Sequence, residues 1–233
     1  MLRSLGACAM ALLGLLATPV TATGAPKTYQ IQPGQSRVDI QVFKDGVADG
    51  FAHNHVIRGT DVTGTVTYDP DDVAQCSFDA TLKTTTLKAD LASARKRYKL
   101  EGTLDKDDRE EVEENMKAED QLHVSKYPTV RMKSVKVSKA GERYLIIADT
   151  TLKGETRRTV LRGQVSVNGD TLTGTGKMKV KQSAFGMEPY SAFLGAVENK
   201  DELIIHVRFV AEALQAAPEA PSTQATPSPE PQP

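Results

Sequence analysis

Cysteine is scarce in this chain. Only Cys8 and Cys76 occur among its 233 residues, and Cys8 lies in a stretch that is typical of a removable signal peptide. The mature chain then carries one thiol, so no disulfide can form within it even in an oxidising compartment. Stability must therefore come from the burial of apolar side chains, and we expect Cys76 to be a buried, unreactive thiol.

An excess of one charge is also lacking, since 29 Lys and Arg stand against 30 Asp and Glu. Proteins that bind nucleic acids concentrate Lys and Arg in a basic patch that contacts phosphates, and segments attracted to anionic membranes are similarly basic. The balance of charge therefore predicts that the protein binds neither a nucleic acid nor a membrane surface through electrostatic attraction.

Catalytic motifs are absent as well. The sequence contains no G-x-S-x-G, H-E-x-x-H, G-x-x-x-x-G-K-[ST] or C-x-x-C segment. We therefore expect that the protein is not an enzyme.

The alternative is a metal-dependent enzyme or metal-binding protein that uses His53 and His55, because two residues separated by one position project from the same face of a strand. A closed zinc site needs about four ligands, so the pair alone does not make one.

Long apolar runs are missing except near the N-terminus, where residues 5–20 are apolar or small and follow Arg3. This run is shorter than the roughly 20 residues that a membrane-spanning helix needs. The small residues up to Ala22 are typical of a cleavage site. The pattern predicts a signal peptide over 1–22, a linker over 23–27, no membrane span after cleavage, and a periplasmic or secreted protein.

Two other interpretations of this N-terminal segment stay open. Cleavage after Ala25 is one, although Pro26 would then follow the cut. Residues 5–8 also resemble a lipobox, which would make Cys8 the acylated first residue. The order of the regions argues against the lipobox, because the apolar run follows Cys8 rather than preceding it.

The C-terminal segment lacks any apolar pattern. Residues 214–233 are rich in Pro, Ala, Ser and Thr, a composition that cannot bury enough surface to fold. We predict a disordered tail there. A partner-binding module that acts through this Pro-rich segment is the alternative, because such segments are already extended.

What the sequence does contain is a regular alternation of apolar and polar residues, which places alternate side chains on opposite faces of a strand. Short turn signals such as Pro33-Gly34 and Asn168-Gly169-Asp170 separate the runs, as in antiparallel hairpins. The predicted strands cover residues 28–32, 36–44, 53–68, 75–87, 128–138, 143–153, 156–167, 171–182 and 202–211.

These runs predict an all-β fold, an antiparallel eight- or nine-stranded lipocalin-like β-barrel over residues 28–213. A two-sheet sandwich is the runner-up. Between residues 90 and 119 the alternation stops, and acidic residues from Asp105 onward favour a helix start. We expect one or two short helices inserted between strands, with a solvated charged loop as the alternative.

The phase of the alternation assigns one face of the strands to the interior. The inward side chains are Val38, Ile40, Val42, Phe78, Leu172, Met178, Val180, Leu203, Ile205 and Phe209. Gly64, Gly174 and Gly176 share that face, where glycine either leaves room for a cavity or marks a bend at which the sheet closes.

Five segments resemble the YceI-like family, polyisoprenoid-binding periplasmic proteins with a lipocalin-like barrel. They are residues 29–38, 62–66 (VTGTV), 125–134 (SKYPTVRMKS), 151–156 (TLKGET) and 183–187 (SAFGM). The resemblance implies that the barrel binds a small apolar lipid, an isoprenoid chain or quinone, for sequestration or transport outside the cytoplasm, with no required cofactor. The inward residues would line the binding site, Phe185, Met187 and Tyr190 would guard its mouth, and a homodimer is left open.

Overall fold

The computed structural model describes residues 25–45, 53–192, 194 and 196–215. The signal peptide predicted over 1–22 lies outside the described residues, as do residues 23–24 of the predicted linker and 216–233 of the predicted tail. The first strand begins at Lys27 and the last ends at Ala213, close to the limits predicted for the barrel.

The described residues form strands separated by short turns, two α-helices and three short 3₁₀ helices. The strands are β1 (Lys27–Ile31), β2 (Arg37–Val42), β3 (Lys44–Asp45), β4 (His55–Gly59), β5 (Val62–Tyr68), β6 (Ser77–Lys83), β7 (Lys88–Ala89), β8 (Thr129–Ala140), β9 (Arg143–Leu152), β10 (Glu155–Asn168), β11 (Thr171–Lys181), β12 (Ser191–Ala192), β13 (Val197–Asn199) and β14 (Glu202–Ala213). The helices are α1 (Ala92–Tyr98) and α2 (Lys106–Lys117), and the 3₁₀ helices are Val73–Gln75, Thr84–Thr86 and Ser183–Phe185.

The main sheet closes on itself as an antiparallel barrel of eight strands. Its order is β1, β5, β6, β8, β9, β10, β11 and β14, and β14 pairs again with β1. Closure of the ring removes the two free edges that an open sheet would expose. The predicted lipocalin-like barrel with two short helices is confirmed.

The first two predicted strands are halves of one broken strand, which is why nine runs make eight strands. Along the same edge of β14, β2 pairs with Ile204–Arg208 and β1 pairs with the residues from Ala211 onward. At the break, the Ser36 hydroxyl accepts from the Val210 N–H at 3.1 Å and donates to its carbonyl at 3.3 Å. The buried Ser36 hydroxyl therefore bonds the backbone N–H and carbonyl of Val210, which lie opposite the break in the strand.

Helix α2 begins where the acidic residues predict. The Asp105 side chain caps it by accepting from the Asp108 N–H at 2.9 Å, which satisfies a donor that has no partner within the helix. Glu113 ties the helix to β7 through the Ala89 N–H at 3.1 Å and the Lys88 ammonium at 2.9 Å. These contacts place the apolar face of α2 across one end of the barrel.

Helix α1 covers part of the outer face of the barrel, and this covering buries an aspartate. Asp39 points outward from β2, yet its exposure is only 1%. Its carboxylate accepts two hydrogen bonds from Arg58 on β4, at 2.6 and 3.0 Å, and one from the Tyr98 hydroxyl of α1 at 3.0 Å. The charge is therefore paired rather than solvated, and it attaches α1 to the sheet.

Gly64 marks a close approach of two strands and leaves no free room. Its φ of +132° is one that side chains rarely adopt, and a Cβ atom added there would overlap the carbonyl oxygen of Asp79 on β6. The interpretation of Gly64 as space for a ligand is therefore wrong. The glycine allows the backbones of β5 and β6 to meet where the sheet curls.

We expect Gly64→Ala to lower the free energy of unfolding by about 2–4 kcal/mol, because backbone strain and overlap with a neighbouring backbone add. Gly141→Ala is the matched control. Gly141 also has a positive φ, of +60°, but an added Cβ would meet no atom within 4 Å. Urea unfolding followed by circular dichroism should show the smaller loss for the control, and equal losses would contradict the close approach.

Candidate ligand-binding cavity

The barrel encloses a cavity of about 600 Å³, within the range of small-molecule sites. Apolar side chains from the ring strands line most of it. One end, which we call the mouth, is bordered by α2, by His53 and by Tyr190, and His53 is exposed there. The other, which we call the far end, is bordered by Tyr68 and Tyr144.

Most of the residues predicted to bind the ligand line this cavity. They are Val38, Ile40, Val42, Phe78, Gly176, Met178, Val180, Phe185, Met187, Tyr190, Leu203, Ile205 and Phe209. Alternation therefore placed the strand residues of this set on the correct face, whereas Phe185, Met187 and Tyr190 had been predicted as residues of the mouth. Contact with a ligand stays a prediction for each of them.

Gly64, Leu172 and Gly174 were predicted with that set but do not line the cavity. Leu172 is fully buried in a solid apolar cluster with Tyr29 and Ala211. The space beside Gly174 is occupied by the Phe209 ring, which an added Cβ would overlap. The absence of a side chain at Gly174 therefore makes room for the Phe209 ring and adds nothing to the volume of the cavity.

Several lining residues were missed from the sequence. Met132 on β8, Ile146 on β9 and Leu161 on β10 face the cavity, as do Val112 and Met116 of α2. The strand residues follow the same alternation as the predicted set and could have been found by it. The helix residues could not, because their position depends on how α2 docks over the barrel end.

The far end is polar, and its two phenols are joined by one hydrogen bond. The Tyr68 and Tyr144 hydroxyls lie 3.3 Å apart, and their rings meet edge to face. Burial, followed by the bond to Tyr144, raises the pKa of Tyr68 to about 12, so the phenol stays neutral. Away from the far end, a second hydroxyl pair, Thr150 and Thr159, joins β9 to β10 at 2.8 Å.

Cys76 is buried and lines the cavity near the far end. Its thiol donates to the Asp69 carbonyl at 3.3 Å. Burial raises the pKa of the Cys76 thiol, which disfavours the reactive thiolate. A structural role is consistent with both observations.

The mouth holds a buried network centred on Asp90. The His55 Nδ1 atom lies 2.7 Å from one carboxylate oxygen of Asp90, and the other oxygen accepts from Arg95 at 2.8 Å and from the Val56 N–H at 3.1 Å. Asp90 adopts a left-handed backbone with φ of +48°. Burial raises the pKa of the Asp90 carboxyl. The hydrogen bond to His55, the charge of His55 and the hydrogen bond to Arg95 lower it by more, so the pKa of Asp90 lies below its usual range.

His53 and His55 both line the cavity, as their shared strand face predicts. Among the described residues, no group of three or more His, Cys, Asp or Glu side chains could hold a metal ion. Binding of a metal by the pair stays a prediction, and elemental analysis of the purified protein would test it.

A model of the YceI-like domain matches residues 29–211. The chain belongs to the YceI-like family. YceI-like barrels bind hydrophobic ligands and are typically periplasmic, and the fold is generally that of a binding protein. In the described part of this chain, no helix has both the length and the apolar character that crossing a membrane requires.

Two relatives illustrate the family. The UPF0312 protein plu2095 of Photorhabdus laumondii is 25% identical over 177 residues, which cover 70% of this chain and 80% of that protein. The crystal structure of BcnA from Burkholderia cenocepacia is 19% identical, with a TM-score of 0.58, and the match covers 78% of this chain and 99% of BcnA. At this identity the likeness to BcnA concerns the YceI-like fold alone.

Proposed function

We propose that this protein binds an apolar or amphipathic isoprenoid-type lipid, a polyisoprenoid or a quinone, inside its barrel and sequesters or transports it outside the cytoplasm. The role is non-catalytic. The observation that carries the proposal is the internal cavity of about 600 Å³ with apolar walls. Burying a hydrocarbon chain there gains about 0.8 kcal/mol per CH₂ group, which is sufficient for tight binding without any charged contact.

The position of the cavity supports a long, flexible ligand. Its lining runs from the mouth at Tyr190 through Met178 and Val207 to Tyr68 at the far end, so it follows the barrel axis. A linear chain can enter at one end and replace water along its whole length. The polar side chains are concentrated near the ends, as an amphipathic ligand would require.

Native mass spectrometry and organic extraction of the full-length protein, purified from its source, test the proposal. We expect a co-purified lipid, or a one-to-one complex after incubation of the delipidated protein with ubiquinone-2. The fold should stay unchanged by circular dichroism. A ligand-free preparation that also ignores ubiquinone-2 and farnesol would refute the proposal.

A further inference from the structure

His55 is held in one orientation by a buried support. The carboxylate of Asp90 behind it is completely shielded from solvent, and the Arg95 side chain is only 6% exposed. Arg95 also donates to the backbone carbonyls of Asn54, Glu101 and Gly102. Asp90 and Arg95, which are themselves held by hydrogen bonds, therefore fix the imidazole from the side away from the cavity.

The strand register places His55 toward the cavity. His55 lies opposite Val42 in the antiparallel pair of β4 and β2, and cross-strand partners share a face. Val42 lines the cavity, as does His55 itself. The ring therefore presents its remaining edge to the space that a ligand would fill.

Only one nitrogen of this ring is left for a ligand. An ionised carboxylate can only accept hydrogen bonds, so the Nδ1 atom beside Asp90 carries a hydrogen. The Nε2 atom has no hydrogen-bond partner within the described residues. Burying this atom under a purely apolar ligand would leave a polar group unsatisfied, which is unfavourable.

We propose that the Nε2 atom of His55 binds a hydroxyl head group of the lipid, as in an isoprenol or a quinol. This inference rests on the proposed function. A hydroxyl can donate to the lone pair of a neutral ring and accept from the N–H of a protonated one, so it satisfies either state. A carbonyl can only accept.

This assignment also orients the ligand. The hydroxyl lies at the mouth beside His55, and the hydrocarbon chain extends past Ile40 and Met178 toward the far end. The opposite orientation would place the hydroxyl beside Tyr68 and Tyr144. Those two phenols already bond each other, whereas Nε2 has no such partner.

Farnesol and farnesene test the inference, because they have similar chains and only farnesol carries a hydroxyl. Their dissociation constants are measured by fluorescence competition for the full-length protein and for His55→Leu. We expect His55→Leu to weaken farnesol binding about 5- to 10-fold, the loss of one hydrogen bond, and to leave farnesene within about 2-fold. His55→Gln, whose amide still bonds a hydroxyl, should recover part of the farnesol affinity.

The remaining outcomes separate the two proposals. Equal changes for farnesol and farnesene, or no change for either, would overturn the role of His55. The role is also overturned if Tyr68→Phe abolishes the preference for farnesol while His55→Leu keeps it. If the unmodified protein binds neither compound, the proposed function itself fails. Circular dichroism and urea unfolding verify that each variant is folded.

Discussion

Asp90→Ala should lower the free energy of unfolding by about 3–5 kcal/mol, the range observed when one partner of a buried ion pair is removed. The Arg95 guanidinium would stay buried, still bonded to backbone carbonyls, with no carboxylate to balance its charge. The Val56 N–H and the His55 ring would lose their acceptor as well. Urea unfolding at neutral pH, followed by circular dichroism, measures the loss.

Asp90→Asn is the matched control for the backbone. Asparagine tolerates the left-handed conformation that Asp90 adopts, whereas alanine is strained there. The difference between the two variants therefore reports backbone strain together with the hydrogen bonds that the amide oxygen of asparagine still accepts. The difference between asparagine and the native residue reports the loss of the charge. An asparagine variant as stable as the native protein at neutral pH would show that the pairing with Arg95 contributes nothing.

The same comparison has a pH dependence of known sign. The pKa of Asp90 is lower in the folded protein than in the unfolded chain, because the bonds to His55 and Arg95 outweigh the opposing effect of burial. The ionised carboxylate thus stabilises the fold above the unfolded pKa of about 3.9 and ceases to do so as the pH falls through the folded pKa. The advantage over Asp90→Asn should shrink below about pH 4.

Val207→Trp should weaken the binding of long isoprenoid ligands about 50- to 200-fold. Val207 lines the cavity from β14, opposite Gly176 on β11. An indole at this position displaces about three or four CH₂ groups of ligand, a loss of about 2.4–3.2 kcal/mol. Titration with ubiquinone-2, monitored by native mass spectrometry or calorimetry, measures the change.

Val160→Trp introduces the same side chain on the opposite face of the barrel. Val160 is exposed on β10 and does not line the cavity. We expect its affinity for ubiquinone-2 to match that of the unmodified protein. If the inner and outer tryptophans weaken binding equally, the ligand does not occupy the barrel interior.

The local pattern of apolar and polar residues predicted the strands and helices of this fold, because it reflects which face of each element is exposed to solvent and which is buried. The alternation around Ile40, Met178 and Ile205 identified inward side chains that line the cavity. Asp105 indicated the start of α2, since a helix cap is formed by residues only a few positions apart. The matched segments, such as residues 125–134, indicated the family that the domain match established.

The site depended on contacts that local patterning cannot predict. Asp90 and His55 are 35 positions apart, and neither their hydrogen bond nor the shielding by Arg95 has a sequence motif. The alternation along β2 places Asp39 on the outer face of the barrel, where a charged residue is normally solvated, but α1 docks over Asp39 and buries it.

The sequence alone therefore determined the all-β class, the strand faces and the start of α2, because these follow from interactions between near neighbours and from burial of one face. Closure of the barrel was predicted with a sandwich as the runner-up, and it depends on the pairing of β1 with the distant strand β14. Tertiary structure alone decided which inward residues are packed against other side chains on all sides and which border the cavity. Leu172 is enclosed by a cluster that includes Tyr29 and Ala211, whereas Met178 lines the cavity, although both lie on the same face of β11. Free volume depends on side chains that neighbouring strands contribute, and only their assembly brings those side chains together.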